Sequence, residues 1–315
     1  VYRGPIQLGA GSSLVGHGVV VINLEQPGAI VSMTNGSLKN LSVQGGDEGI
    51  SAHGAIHLEN IHFSGHRQMA LRMEDATAEI KGIHISATIP GSSGIALTRS
   101  TIHLIDATFQ GALFRAVDLR ESEGTISQLK AIGCRTGISS INSNVDISSA
   151  VFEGGSGPAI FVAQGQVTLR HIDVTGHEYG ISVARGARVS IDGFSSKNAQ
   201  QAAISVLESS GAIQNAKIDN AGAMGAIALL ASTVSIDRVQ INQSAALGLF
   251  VRHGSVDVHD LTVDGVRGEA GPNGESSQGD AIHIRDAKAR IDVLIVKNAD
   301  GSGLFAGAGA NVQLG

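Results

Sequence analysis

Apolar residues recur along this chain in two linked patterns. A small residue followed by an aliphatic one returns at nearly constant spacing: Ala29-Ile30, Gly49-Ile50, Ala70-Leu71, Gly94-Ile95, Ala116-Val117, Gly137-Ile138, Ala159-Ile160, Gly180-Ile181, Ala203-Ile204, Ala226-Ile227, Gly248-Leu249, Ala281-Ile282 and Gly303-Leu304. The interval is 20–24 residues except between Gly248 and Ala281, where it is 33. After each anchor the chain alternates apolar and variable positions, as in Ile181-Ser182-Val183. A second pattern follows, apolar-x-apolar-x-x-apolar-x-apolar, as in Val167, Leu169, Ile172 and Val174 or Val234, Ile236, Val239 and Ile241. Spacing of two marks a strand with one buried face, and the x-x step is a corner that turns the chain onto a new face. Each unit therefore predicts three short strands and three turns. A period in this range sustained from end to end means one unit stacked on itself.

Three strands per turn of about 22 residues, with no helical 3.6 spacing and no Leu/Asn consensus, make an all-β parallel solenoid of about 13 rungs. Inward aliphatics line up as columns, and pairing between successive rungs satisfies the backbone. Gly and Asn suit the corners, where positive φ is required. Asn40, Asn60, Asp106, Asn215 and Asp260 are expected at the second corner. The unbroken repeat predicts a single domain over 1–315, against the two that length alone suggests. The long interval places a polar, Gly-rich insertion at 265–280, either a functional loop or a tolerated excursion.

The opening Gly4-Pro5-Ile6-Gln7-Leu8-Gly9-Ala10-Gly11-Ser12-Ser13-Leu14-Val15-Gly16-His17-Gly18 is similar to the first coil of many β-helix proteins. With the repeat, it makes the whole chain resemble the right-handed, single-stranded parallel β-helix, pectin-lyase-like superfamily. That resemblance implies the fold. It leaves the activity open, because lyases, hydrolases, epimerases, adhesins and passive spikes share the scaffold. Gly16-His17-Gly18 matches a Gly-His-Gly of the superfamily's hydrolases, but no Asp-Asp pair or Arg-x-Lys accompanies it, and it reads as a turn.

Composition narrows the picture. Net charge is −6 with both signs mixed, so no basic stripe serves nucleic acid. Cys134 is the only cysteine, which excludes a disulfide framework and a cysteine zinc site and reads as a small buried thiol. No apolar run reaches the ~18 residues of a membrane-spanning helix. The chain starts at Val1 and stops part-way through a coil, as a segment of a longer protein would.

Three outward-facing groups are candidate chemistry. His57, Glu79 and His103 fall in one column on successive rungs, a metal or proton-transfer site or else a polar surface ladder. Arg72, Glu74, Asp118 and Arg120 lie on the strand after the anchor, where they can hold a polar ligand such as a sugar acid or simply pair with one another. Further along, the same face turns apolar with Phe161, Leu207, Leu230, Phe250 and Phe305, a protein contact if contiguous and exposed. Neither end carries an amphipathic cap, and uncapped solenoid edges invite pairing. The expectation is a secreted or bacterial cell-surface or envelope module for binding, adhesion or assembly, without catalysis and without a cofactor. Its expected partners are a second copy, another protein or a polysaccharide. The alternative is a polysaccharide lyase or glycoside hydrolase.

Overall fold

The computed structural model describes residues 1–17, 20–24, 27–86, 89–111, 113–268 and 279–315. It is a parallel β-solenoid of about 13 turns of about 22 residues, with no helix among the described residues. No helix there is long and apolar enough to cross a membrane. The chain forms two compact units, Val1–Ser156 and Gly157–Gly315.

In the first unit Val31 and the anchor aliphatics Ile50, Leu71, Ile95, Val117 and Ile138 pair in register, one above the next, and all are fully buried; at the first anchor the column takes Val31, one residue after the expected Ile30. In the second unit Ile160, Ile181, Ile204, Ile227, Leu249 and Ile282 form the equivalent column, equally buried. The third strand adds buried Phe63, Phe109 and Phe152 in one unit and Phe194 in the other. This explains the small anchors. A Cβ at Gly94 would lie 2.3 Å from the Ala116 carbonyl and 2.7 Å from the Phe109 ring, and one at Gly180 would meet Ala203 and Phe194 in the same way.

Corners are made by single residues in the left-handed region. The first complete turn uses Asn35, Asn40 and Gly45, and the next uses Gly54, Asn60 and Gly65. Pairing continues through these corners, so Ala29–Gly45 and Glu48–Ser64 run as single strands around a whole turn. Asn40, Asn60, Asp106 and Asn215 have the expected positive φ. Asp260 does not: there the strand stops at Val258 and resumes at Leu261, so a two-residue break replaces the left-handed one. Many corners carry neither Gly nor Asn, among them Arg99, Glu121, Gln164, Arg185 and Glu208. Left-handed backbone costs such residues about 1 kcal/mol or more each, which the stacking of neighbouring turns has to offset. Of the insertion at 265–280, residues 269–278 lie outside the described residues; its ends are the strands Leu261–Val266 and Asp280–Arg285.

Candidate functional site

The first corner of the first unit carries a polar groove. Its rim is made by Arg99, Glu121 and Asn142, the left-handed residues of three successive turns, with φ of 48°, 50° and 50°. Behind each sits a buried serine. The hydroxyls of Ser100, Ser122 and Ser143 donate to the carbonyls of Thr98, Arg120 and Ile141 at 2.8, 2.7 and 2.9 Å. Each also accepts a backbone N–H from the turn before: Ala76 to Ser100 at 3.1 Å, Ser100 to Ser122 at 3.1 Å, and Ser122 to Ser143 at 3.0 Å. Serine thus supplies a hydrogen-bonded floor in which every hydroxyl is used.

Two hollows open along this corner. One, of about 430 Å³, is lined by Arg99, Thr101, Glu121, Glu123, Asn142 and Asn144 above Ser100 and Ser122. The other, of about 470 Å³, includes Asn35, Ser37, His57, Thr77 and Glu79. They share an axial line, because Ala55, Thr77, Thr101, Glu123 and Asn144 follow one another in register. Four inter-strand steps give this line a length of roughly 19 Å.

Charge in the groove is mostly negative. The Arg99 guanidinium meets Glu74 at 2.5 Å and Asp75 at 2.9 and 3.0 Å. Its hydrogen bonds hold the Asp75 carboxyl below the usual carboxylate range. Glu121 makes no ion pair or side-chain hydrogen bond among the described residues, and Glu123 receives only the Thr101 hydroxyl at 3.4 Å. Next to the second hollow, Lys39 pairs with Glu59 at 2.9 Å and lowers its carboxyl.

The histidine column exists as expected: His57, Glu79 and His103 pair in register. His57 Nδ1 lies 3.4 Å from Glu79 and its Nε2 3.6 Å from Glu59, whereas His103 Nδ1 turns away to the Thr125 hydroxyl at 3.0 Å. Among the described residues no group of three His, Cys, Asp or Glu side chains is placed to hold a metal ion.

The Arg/Asp group is split. Arg72 pairs with Glu48 at 2.6 Å, and Glu74 belongs to Arg99. Ala96 separates Arg72 from Asp118 in their column. Asp118, expected to point outward into water, is only 8% exposed. Its Oδ2 accepts from Arg115 at 2.9 Å and from Arg120 at 3.3 Å, so long guanidinium side chains cover the carboxylate. Arg115 and Arg135 also stand over the Phe114 ring, 4.7 and 5.2 Å from its centroid. The Cys134 thiol is buried, and burial pushes its pKa up to about 12.

In the second unit the apolar face is not one patch. Phe161 and Phe250 share a column, but Ser182, Ser205 and Ala228 come between them. Leu207 and Leu230 form a neighbouring column that continues into Arg252 and Arg285. The aromatic part is Phe250, His283 and Phe305, adjacent in register. His283 stacks on Phe305 with ring centroids 4.5 Å apart and tilts against Phe250 at 5.7 Å. His283 is buried and its Nδ1 lies 2.9 Å from the buried Asp280 carboxylate, which also accepts the Ser302 N–H at 2.7 Å. Sequence reasoning missed this pair. Its only sign was a His at an outward position three residues after an Asp, a spacing too common to single out.

No protein-family model matches the sequence, and no curated protein matches it significantly. Solved structures match in fold. The catalytic domain of Agl-KA superposes with a TM-score of 0.53 at 11% identity, covering 84% of this chain and 62% of that one. The catalytic unit of a GH87 α-1,3-glucanase from Streptomyces thermodiastaticus gives 0.53 at 11% identity, covering 98% and 63%. The A-module of the mannuronan C-5 epimerase AlgE4 from Azotobacter vinelandii gives 0.44 at 15%, covering 99% and 89%. The chain spans less than two thirds of the first two catalytic structures. The likeness is one of fold: this chain and these structures are parallel β-solenoids.

Proposed function

We propose that the protein is polysaccharide-directed and that a glycan chain lies along the first-corner groove of the unit Val1–Ser156. The supporting observation is the axial line of Thr77, Thr101, Glu123 and Asn144 joining two hollows on one side of the solenoid. Hydroxyl, amide and carboxylate groups at a regular inter-turn spacing suit a polymer of repeating hydroxyls, and the rigid serine floor fixes them in advance. Hydrolysis of a glycosidic bond needs two carboxyl groups in one cleft, and Glu121 and Glu123 line the same hollow. Fold likeness to glycoside hydrolase catalytic structures supports this reading by analogy.

The test is a panel of α-1,3-glucan, other neutral glycans and uronate-rich glycans. The protein is expected to be retarded in gels containing at least one of them. New reducing ends should appear, and they should disappear in Glu121→Gln and Glu123→Gln. No retardation and no product on any member contradicts the reading.

The contiguous Phe250, His283 and Phe305, with Phe305 40% exposed, support a second reading, a secreted or envelope module that associates with itself or with another protein. Light scattering on the native-length protein should then show concentration-dependent association that Phe250→Ser weakens. Monomers at high micromolar concentration remove self-association.

A further inference from the structure

We infer that the groove selects glycans bearing amino groups, of the glucosamine type, over glycans bearing carboxylates; this rests on the groove being the glycan site. The ionisable residues lining the two hollows are Glu79, Glu121 and Glu123, one guanidinium, Arg99, and one histidine, His57. Arg99 is already paired with two carboxylates, Glu74 at 2.5 Å and Asp75 at 2.9 Å, so its single positive charge is balanced before a ligand arrives. Glu121 and Glu123, both exposed, have no cationic partner among the described residues.

A uronate polymer in this groove would set its carboxylates beside these two without compensation, and like charges brought together oppose binding. An ammonium on a hexosamine ring gives each carboxylate the ion pair it lacks, while Thr101 and Asn142 serve the ring hydroxyls. The sign is local to the groove. On the first-strand face of the same unit, three guanidiniums, Arg115, Arg120 and Arg135, surround the one carboxylate of Asp118 and the Phe114 ring. Selection against uronates therefore belongs to the groove and not to the chain's net charge of −6.

The experiment is calorimetric titration of the full chain at low salt with three soluble probes: a glucosamine hexamer, the N-acetylated hexamer and a galacturonate hexamer. The glucosamine hexamer should bind about tenfold more tightly than the acetylated one, as expected of two exposed ion pairs. The preference should fade at high salt. The galacturonate hexamer should bind weakest. The double variant Glu121→Gln, Glu123→Gln should bind both hexosamine probes equally, with an unchanged thermal midpoint. Equal binding of the two hexosamines by the parent protein, or tighter binding of galacturonate, overturns the inference and leaves the glycan reading standing. A preference for glucosamine that survives in the double variant also overturns it, since the amine is then held elsewhere. If no hexamer binds, and the wider glycan panel is negative too, both fail together.

Discussion

The two units share their interior and differ at their surface. Inward, Val31 to Ile138 in one and Ile160 to Ile282 in the other are the same buried aliphatic ladder. Outward, the first unit presents ion pairs and a groove, with Arg99 on Asp75 and Glu74 and, beside it, Glu121, which has no ion pair among the described residues. The second presents Phe250, His283 and Phe305 stacked in register, with Leu207 and Leu230 in the next column. One backbone plan therefore supports two surface chemistries, because alternation frees every second residue from the demands of the core. Function must be sought on the outward columns and corners.

The sharpest way to break this division is to violate the interior. Ile172 is 1% exposed and registers with Phe194. Ile172→Asp should cost about 4 kcal/mol or more by burying an unpaired carboxylate, and Leu129→Asp, at an equally buried site of the first unit, should do the same. Glu123→Gln, outward, should stay within about 0.5 kcal/mol. Urea denaturation compares all three, and similar losses for inward and outward changes would undo the division.

A smaller effect should come from pH. Burial pushes His66 down to about 4 from the ordinary 6.5, although its Nδ1 bonds the Gly45 carbonyl. His177, which follows the corresponding corner in the second unit, is lowered for the same reason. Above 6.5 the His66 imidazole is neutral in both folded and unfolded chains. As pH falls below 6.5 the unfolded chain takes up the proton first, so stability declines and levels off near 4. The loss attributable to His66 approaches about 3 kcal/mol. Urea midpoints measured from pH 7.5 to 4 should show it, and His66→Leu should flatten that part of the profile. An unchanged slope in the variant would place the acid sensitivity elsewhere.

The smallest effect concerns the corners. Ala231 stands at φ 50° in the left-handed region. Ala231→Gly relieves that strain and should raise stability by a few tenths of a kcal/mol, up to about 1, read as a small upward shift of the thermal midpoint. A decrease would mean that the Ala231 methyl contributes packing that outweighs the strain.

Much of the interior was legible in the sequence because its signal is periodic. The anchors from Ile30 to Ile282 and the paired aliphatics of the second pattern are core residues, as their spacing predicts. The surface was less legible, for reasons visible at particular residues. Arg99 and Glu121 do not look like corner residues, since their backbone conformation is set by stacking and not by their own preference. No periodic signal singles out Ser100 and Ser122, yet their hydroxyls close a ladder between turns. Alternation put Asp118 outward correctly and still missed its burial, which comes from Arg115 and Arg120 folding over it. The His57, Glu79 and His103 column was correctly aligned, but side-chain rotation sent His103 to Thr125 instead. Position along a strand is a backbone property; what a long polar side chain touches depends on its neighbours' rotamers as well.

The claim that the first unit's groove is the glycan site is tested most directly by hydrogen exchange of the full chain with and without the glucosamine hexamer and a soluble α-1,3-glucan oligosaccharide. The account predicts slowed exchange in peptides covering Arg99–Thr101, Glu121–Glu123 and Asn142–Asn144, with Leu247–Arg252 and Asp280–Arg285 unchanged. Protection confined to those second-unit strands, around Phe250 and His283, would contradict it.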